Sequence, residues 1–365
     1  MTDADLEVQA LDHRPALPRR RDMGIGIVGA GEIVQAAHLP AYRLAGFRVA
    51  GIFDIDQAKA RAAAERFGLD RVYGRLEDLL ADDGVEVVDV AVPAGRQLGV
   101  VERVVAKKRN VLCQKPLGET YASAREVVRV CRQAGARAAV NQQMRWAPGI
   151  RMSRAIIEKG WLGTPTQATI QVNVLTPWDH WPWLANLPGM EFMYHSIHYL
   201  DAIRHLFGTP ESVYADSARF PGQTIEADTR TTIVIRFPGE ARALIADNHN
   251  NFCDEADWYA TFRFEGTLGV AKGTNGALYD YPVGREDTIS FFSKALDARR
   301  WFSPRLEGKW FPDAFMGSMG ELMKAIEEER EPDNSVSDNL TTLQMVFAAI
   351  RSSRERRAVR LDEVV

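Results

Sequence analysis

The sequence predicts an α/β chain of two domains, first a doubly wound parallel sheet and then an α+β domain on a mostly antiparallel sheet. The chain has 365 residues, which exceeds the size at which one hydrophobic core stops growing. Residues 22–141 alternate strand and helix patterns, as parallel βαβ units do. Residues 142–365 carry a run of strands with few helices between them, which is typical of an antiparallel sheet covered on one face.

The first domain follows a short N-terminal tail. Residues 1–21 are polar and end in Arg19-Arg20-Arg21 with no apolar stretch after them, so we predict a disordered tail rather than an export signal. The strands predicted after it are Ile25–Val28, Val49–Phe53, Val85–Val92, Asn110–Cys113 and Ala138–Asn141. The helices predicted between them run from the first strand to Gly46, over Gln57–Phe67, around Leu76–Leu80, over Gln97–Lys108 and from Thr120 to Gly135.

The second domain begins with a predicted helix at Ile150–Lys159. Apolar and polar residues then alternate with the period of half-buried strands. The predicted strands are Thr166–Leu175, Ser212–Ser217, Thr231–Phe237, Ala241–Asp247 and Trp258–Phe264. The predicted helices are Met193–Phe207, Phe315–Glu328 and Ser337–Glu355, and we expect the last one to pack back on the first domain.

Composition excludes several classes of protein. Hydrophobic residues make up 46% of the chain and charged residues 26%, as in ordinary globular proteins. The net charge of −4 leaves no basic excess for nucleic-acid binding. No apolar run approaches the ~20 residues that a membrane span needs. The three cysteines are widely spaced, which predicts reduced thiols and a cytoplasmic protein.

A glycine turn follows the first strand. Gly29-Ala30-Gly31 opens the next helix, and Asp54 ends the second strand. Such a turn lets the backbone approach a pyrophosphate, which binds the first N–H groups of the helix, here those of Glu32 and Ile33. The Asp54 carboxylate can accept hydrogen bonds from both hydroxyls of an adenosine ribose and repels a 2′-phosphate. This spacing predicts a Rossmann domain that binds NAD rather than NADP.

A lysine ends the fourth predicted strand, in the string Val111–Leu117, which contains Lys115-Pro116. This position is at the carboxyl edge of a parallel sheet, where doubly wound folds bind ligands. Desolvation there would lower the pKa of Lys115 and suit it to proton transfer. The alternative is an ordinary solvent-exposed lysine.

A histidine-rich helix carries the next candidates. His198 lies one helical turn after Tyr194 and nearly one turn before Asp201, which suits a proton relay oriented by an acid. The alternative is a set of histidines that are satisfied by hydrogen bonds at the edge of the core. Glu191, His195 and His198 also share one helix face and suit zinc. The relay explains the same helix, so we expect no metal.

Tryptophans are concentrated in the segment Thr176–Trp183, which contains Trp178 and His180. Flat aromatic faces cover sugar rings, and a neighbouring imidazole can bind hydroxyls, so both residues and His195 are candidate substrate ligands. A subunit interface would explain the tryptophans equally well. Arg145 can bind a substrate carboxylate or the cofactor.

Taken together, these motifs resemble the Gfo/Idh/MocA family of glucose–fructose oxidoreductases and inositol dehydrogenases. The resemblance implies an N-terminal Rossmann domain, a large open-faced C-terminal sheet that forms homodimers or homotetramers, and an active site between them. The strings that carry it are Gly29-Ala30-Gly31, His38-Leu39-Pro40, Asp54, Gln114-Lys115-Pro116, Arg145-Trp146-Ala147-Pro148, Gly160-Trp161-Leu162-Gly163, His198-Tyr199-Leu200-Asp201 and Glu265-Gly266-Thr267-Leu268-Gly269.

The resemblance assigns roles to three residues. Lys115 matches the family lysine that bridges the substrate hydroxyl and the cofactor. His198 matches the residue that takes or gives the proton at the oxidised carbon, and Pro93 matches the loop beneath the nicotinamide.

Three positions depart from the family pattern. Gln114 replaces a glutamate that would keep the lysine charged, and Gln97 stands where many members have histidine; both remain candidate cofactor contacts. Tyr194 replaces the aspartate one turn before His198. Either Tyr194 substitutes in the relay as a weaker acid, or His198 works with Lys115 alone.

The predicted function is that of an NAD-dependent dehydrogenase acting on a hydroxyl of a sugar, cyclitol or related polyhydroxy compound. The sequence leaves two alternatives open. One is a non-catalytic NAD-binding regulator or subunit. The other is an enzyme whose tightly bound cofactor serves transhydrogenation or redox-assisted glycoside cleavage.

Overall fold

The structure is a computed structural model that describes residues 3–176, 178–180, 182–279, 283–297 and 299–365. The chain divides into two compact units. The five-stranded unit comprises Pro15–Gln143 and Pro312–Leu343. The eight-stranded unit comprises the chain up to Arg14, Met144–Phe311 and Gln344–Val365.

Strands and helices are numbered along the chain. The strands are β1 Ile25–Val28, β2 Val49–Phe53, β3 Val87–Val90, β4 Asn110–Cys113, β5 Ala138–Val140, β6 Pro165–Asn173, β7 Ser212–Ala218, β8 Arg230–Arg236, β9 Arg242–Asn248, β10 Tyr259–Gly266, β11 Gly269–Thr274, β12 Thr288–Ser293 and β13 Val359–Arg360. The α-helices are α1 Asp3–Gln9, α2 Leu39–Ala45, α3 Gln57–Phe67, α4 Leu76–Ala81, α5 Ala94–Ala106, α6 Tyr121–Ala134, α7 Pro148–Glu158, α8 Ile197–Phe207, α9 Ala314–Glu327 and α10 Val336–Glu355. Single π-helical segments at Val34–His38 and Glu191–Ser196 precede α2 and α8.

The five-stranded unit is a parallel sheet in the order β2-β1-β3-β4-β5. β1 and β3 are buried along their whole length, as expected of strands with helices on both faces. The last residues of the strands are in register, so their carboxyl ends form one edge from which the ligand-binding loops leave. The residues that form this edge are Phe53, Val28, Val90, Cys113 and Val140.

A late segment of the chain completes the five-stranded unit. Helix α9 packs against α2, β5 and the Val34–His38 segment. Ser335 forms a bridge with Ala139 of β5, and the Asn334 side chain donates to the Val140 carbonyl at 2.9 Å. We expected the last helix to pack back on this domain. The start of α10 belongs to this unit together with α9, whereas α10 from Gln344 onward belongs to the other unit.

The eight-stranded unit has the order β12-β11-β10-β6-β9-β8-β7-β13. Neighbouring strands are antiparallel except for β6 and β9. Buried and exposed residues alternate strictly along β8, which confirms a sheet with one covered face. Three strands, β11, β12 and β13, were missing from the predicted set. β11 has a glycine at two of its six positions and β13 has only two residues, so neither presents a strong strand pattern.

The N-terminal segment differs from the predicted disordered tail. Residues 3–9 form helix α1, whose Val8 is buried. Asp5 pairs with Arg300, and the backbone N–H of Glu307 donates to His13 at 3.0 Å. These contacts place the segment in the eight-stranded unit, because partners from the far end of the domain satisfy its polar groups.

From the composition, we expected neither a membrane-spanning helix nor a disulfide. Within the described ranges, no helix combines the length and the apolar character that crossing a membrane requires. Cys113, Cys131 and Cys253 are free thiols. Burial raises the pKa of Cys131 to about 12 and raises that of Cys113 well above its usual value, which makes both thiols poor nucleophiles.

Candidate active site

The glycine turn lies at the carboxyl end of β1. Gly29 has φ +107°, and a Cβ there would lie 2.4 Å from the Ala91 carbonyl oxygen, so only glycine fits. A Cβ on Gly31 would meet nothing within 4 Å. The space beside Gly31 is therefore open, and the N–H groups of the first helical turn, at Glu32 and Ile33, need partners from outside the helix. This arrangement fits a pyrophosphate.

Asp54 stands beside this turn at the carboxyl end of β2. Its Oδ2 accepts from the Ala30 backbone N–H at 2.7 Å, and its Oδ1 accepts from the Asp56 N–H at 2.7 Å. These two bonds fix the orientation of the carboxylate. Ionised carboxylate oxygens have further lone pairs, so Asp54 can still accept from two ribose hydroxyls.

A buried histidine forms the centre of the polar network beneath the sheet edge. The π-helical segment delivers His38, whose Nδ1 lies 2.7 Å from Asp89 Oδ2. The Tyr42 hydroxyl donates to the same oxygen at 2.7 Å. The amide nitrogens of Gln114 and Asn141 lie 2.9 and 3.2 Å from His38 Nε2. Since amide nitrogens only donate, Nε2 is the acceptor and the proton is on Nδ1.

This network also has an electrostatic signature. Burial, and then the negative charge of Asp89, raise the pKa of Tyr42 well above its usual value. The phenol therefore remains a neutral donor. The sequence indicated His38 only as part of a family motif. It did not indicate Asp89, because the two residues are 51 positions apart in the chain.

The lysine loop is fixed by two glutamines. Gln114 Oε1 accepts from the Lys115 backbone N–H at 2.8 Å. Buried Gln97 donates from Nε2 to the carbonyls of Gln114 and Pro116, at 2.7 and 3.1 Å. The two departures from the family pattern therefore both hold the backbone that carries Lys115. Pro93 is the N-cap residue of α5, the helix that carries Gln97.

In the eight-stranded unit, the π-helical segment Glu191–Ser196 runs directly into α8. π-helical turns are rare and often occur at functional sites. His198 in α8 is 5% exposed, and its ring meets the edge of Trp310 at a centroid distance of 5.2 Å. Trp310 was not among the predicted site residues, since nothing in its local sequence marks it.

Tyr194 lies against aromatic and apolar side chains. Its ring forms an edge contact with Trp183 at 5.4 Å between centroids. Tyr194 and Trp178 both pack on a cluster formed by Leu184, Met190, Ile225 and Ala227. The side chain of His180 lies outside the described part of the structure.

Arg145 is held by an acid of α8. Its Nε and one terminal nitrogen donate to the two Asp201 oxygens at 2.6 and 2.7 Å, and both side chains are almost fully buried. Arg204 lies 3.7 Å from the same carboxylate. Asp201 thus pairs with Arg145, and its predicted role beside His198 stays a prediction. A bidentate pair of this kind fixes α8 against the start of α7.

A second group of polar side chains surrounds the π-helical segment. His195 Nδ1 lies 3.0 Å from Glu191, and the His195 ring stacks on His249 at 3.9 Å between centroids. His249 Nε2 lies 3.0 Å from Asp247 Oδ1. Burial, then the charges of Asp247 and Glu191, raise the pKa of Tyr199 well above its usual value. Glu191 and His195 thus lie beside His249, a residue that the sequence did not indicate.

Two family models match this chain over more than half of its length. Residues 23–142 match the oxidoreductase family with an NAD-binding Rossmann fold. Residues 150–281 match the Gfo/Idh/MocA C-terminal domain. The chain belongs to the Gfo/Idh/MocA family. This confirms the predicted family, its two-sheet fold and an NAD-binding Rossmann domain.

Relatives within this family are dehydrogenases of sugars and cyclitols. The chain is 27% identical over 345 residues to D-apiose dehydrogenase of Paraburkholderia graminis, covering 93% of this chain and 89% of that protein. It is 24% identical to myo-inositol 2-dehydrogenase of Thermotoga maritima, covering 94% and 100%. It is also 24% identical to D-xylose 1-dehydrogenase (NADP(+)) 2 of Haloferax volcanii, covering 93% and 100%.

Solved structures in this family share the fold. An oxidoreductase from Agrobacterium radiobacter, in complex with NAD+, L-tartaric acid and magnesium, superposes with a TM-score of 0.81 at 22% identity over 94% of this chain and 100% of that one. A levoglucosan dehydrogenase in complex with NADH and levoglucosan gives a TM-score of 0.77 at 18% identity over 93% and 99%. At these identities the likeness shows the fold.

Proposed function

We propose that this chain is an NAD-dependent dehydrogenase that oxidises a hydroxyl of a sugar, cyclitol or related polyhydroxy compound. The observation that carries the proposal is the sheet edge of the five-stranded unit. There a loop fixed by two glutamines holds Lys115 on the same edge as the glycine turn and Asp54. A lysine on a fixed loop at a dinucleotide edge suits reaction at a nicotinamide.

The residues of the five-stranded unit fit NAD. The N–H groups of Glu32 and Ile33 would hold the pyrophosphate over the open space at Gly31. Asp54 would bind the ribose and disfavour a 2′-phosphate. Pro93, Gln97 and Gln114 would shape the nicotinamide side. When bound, the nicotinamide accepts the hydride that leaves the substrate carbon.

Lys115 and His198 act on the substrate hydroxyl. Lys115 donates a hydrogen bond to the oxygen and stabilises the negative charge that develops on it. The His198 imidazole accepts the hydroxyl proton. Trp310 supports the His198 ring by an edge contact, and Tyr194 is proposed to relay the proton onward in place of the family aspartate.

The remaining predicted substrate residues divide into two groups. Trp178, His180 and His195 remain proposed ligands of the polyhydroxy compound. Arg145 is better assigned to positioning α8, because the Asp201 carboxylate engages its guanidinium in a bidentate pair.

We further propose that the protein acts in the cytoplasm as a homodimer or homotetramer. The free thiols support the first point. The second is supported by apolar residues on the uncovered face of the eight-stranded sheet, where Tyr214, Val234 and Tyr259 are 39–45% exposed.

Turnover tests the proposal directly. Purified protein is assayed with NAD and with NADP against a panel of sugars, cyclitols and sugar acids, following reduced nicotinamide by absorbance. Lys115→Met is expected to abolish turnover and leave the NAD dissociation constant within about threefold, because the ammonium acts on the substrate oxygen. Lys107→Met, the same change at an exposed lysine, should behave as wild type.

Two results would contradict the proposal. NAD binding without turnover of any compound in the panel would favour the non-catalytic regulator. Binding in thermal-shift assays by NADP alone would overturn the role of Asp54; saturating NAD at 100 times its dissociation constant should instead add about 2.7 kcal/mol of stability.

A further inference from the structure

We propose that Glu191, His195 and His249 form a binding site for a divalent transition-metal ion of the zinc class. The proposal stands on geometry within the eight-stranded unit and does not depend on the dehydrogenase assignment. One ligand atom of each of the three residues lies within 4.8 Å of the others. Two imidazoles and a carboxylate are a set that zinc prefers in proteins.

The distances suit a common ion. Two ligand atoms at about 2.1 Å from a tetrahedral zinc ion lie about 3.4 Å apart. The observed separations fall on either side of this value. Glu191 lies 3.0 Å from His195 Nδ1 and 3.9 Å from His249 Nε2. The His195 and His249 rings stack with an interplanar angle of 13°, so at least one ring would rotate to bring both ligand nitrogens onto the ion.

The orientation of His249 also favours an ion. Its Nδ1 lies 2.9 Å from the Thr176 hydroxyl oxygen, so an Nδ1–H that donates to this oxygen leaves a lone pair on Nε2. Metal-bound histidines commonly donate their other ring N–H to an oxygen in this way. His249 Nε2 lies 3.0 Å from Asp247 Oδ1 and 3.9 Å from Glu191 Oε1. The Tyr199 hydroxyl is 3.3 Å from Nε2, a long hydrogen bond that the ion would replace.

Burial and charge point the same way. The Glu191 and Asp247 side chains are 0% exposed, and His249 is 4% exposed. Two carboxylates buried in one cluster are costly in the interior unless positive charge accompanies them. A divalent ion supplies that positive charge, and Asp247 can supply a fourth ligand or orient His249. His195 remains 17% exposed, which leaves an entry route.

The ion would join two distant parts of the eight-stranded unit. Glu191 and His195 belong to the π-helical segment that leads into α8, whereas His249 follows β9. Binding would therefore fix the segment directly preceding His198. It would also reassign His195 from a substrate ligand to a metal ligand.

Metal binding by the full-length protein tests this inference. The protein is stripped with a chelator and titrated calorimetrically with zinc chloride, and metal content is measured by mass spectrometry. We expect one zinc ion per chain in wild type. Glu191→Gln and His249→Ala should lose this binding, whereas His13→Ala, in a histidine of the same unit outside the cluster, should bind as wild type does.

A gentler variant keeps the test independent of folding defects. Thr176→Val removes the hydroxyl beside His249 Nδ1 at nearly constant volume and should weaken zinc binding by about 10- to 100-fold. Cobalt(II) added to wild type should produce the visible bands of a tetrahedral site. No zinc binding by wild type, or equal binding by wild type and the Glu191 and His249 variants, overturns the inference. Either result would mean that the cluster is stabilised by hydrogen bonds without a metal ion.

Discussion

The two units of this protein each place a buried histidine beside a carboxylate at a π-helical segment, but they complete the network differently. In the five-stranded unit, each ring nitrogen of His38 has its own kind of neighbour: Asp89 for Nδ1, and the amides of Gln114 and Asn141 for Nε2. A single proton, on Nδ1, satisfies both ring nitrogens. In the eight-stranded unit, the carboxylates of Glu191 and Asp247 and the imidazoles of His195 and His249 form one cluster.

The difference is one of hydrogen-bond donors. Around His38, amide and phenol groups supply the donors, so both ring nitrogens have partners and the network fixes the start of α2. Around His249, two buried carboxylates lie beside two imidazoles, and our proposal is that a cation, rather than an amide donor, completes this network. A histidine–acid pair alone therefore does not distinguish a structural role from a ligand-binding role. The other groups that contact the pair decide between them.

The largest expected effect tests whether the His38 network is structural. His38→Leu leaves Asp89 buried without its imidazole partner and should lower the free energy of unfolding by about 3–5 kcal/mol. Tyr42→Phe removes only one hydrogen bond to the same carboxylate and should cost about 1.5–3 kcal/mol. Urea unfolding followed by circular dichroism measures both. Equal and small losses of unfolding free energy in the two variants would contradict a structural role for the His38 network.

A smaller effect tests the donor count directly. Gln114→Glu restores the family residue but replaces the amide donor to His38 Nε2 by a carboxylate. His38 must then take up a second proton, so the variant loses stability as the pH rises above the ordinary histidine value of about 6.5. We expect a loss of about 2 kcal/mol relative to wild type at pH 8.5, most of it recovered at pH 6.

The control for this prediction is Gln133→Glu, which makes the same charge change at an exposed residue. Unfolding curves of the two variants are compared at both pH values. If Gln114→Glu lost the same amount of stability at both pH values, His38 would not take up a second proton in this variant.

The effect that is smallest at neutral pH concerns the acid sensitivity of the eight-stranded unit. Burial, then the charges of Arg145 and Arg154, lower the pKa of His205 from 6.5 to about 3. The unfolded chain binds this proton below pH 6.5 and the folded chain does not, so stability falls with decreasing pH, by up to about 1.4 kcal/mol per pH unit. His205→Asn should remove this part of the slope between pH 6.5 and about pH 3. Urea midpoints across that range measure it, and an unchanged slope would rule out His205 as its source.

Much of the fold could be predicted because its signals are local. β1, β2 and β4 and helix α3 begin and end where the sequence places them, and Thr120 and Gly135 cap α6 as predicted. The misses have physical causes. Short or glycine-containing strands such as β11 and β13 depend on neighbouring strands rather than on their own pattern, and the helix α1 depends on contacts made far along the chain.

The sequence by itself determined the glycine turn, Asp54, the strand-end Lys115 and the helix that carries His198, because each rests on spacing within one or two elements. Only the tertiary structure decided what surrounds them. Gln114 holds the lysine loop and His38 rather than the lysine charge, Asp201 binds Arg145, and His249 joins Glu191 and His195. Hydrogen-bond and ion-pair partners are chosen by distance in space, and residues far apart in a sequence carry no local pattern that reveals such neighbours.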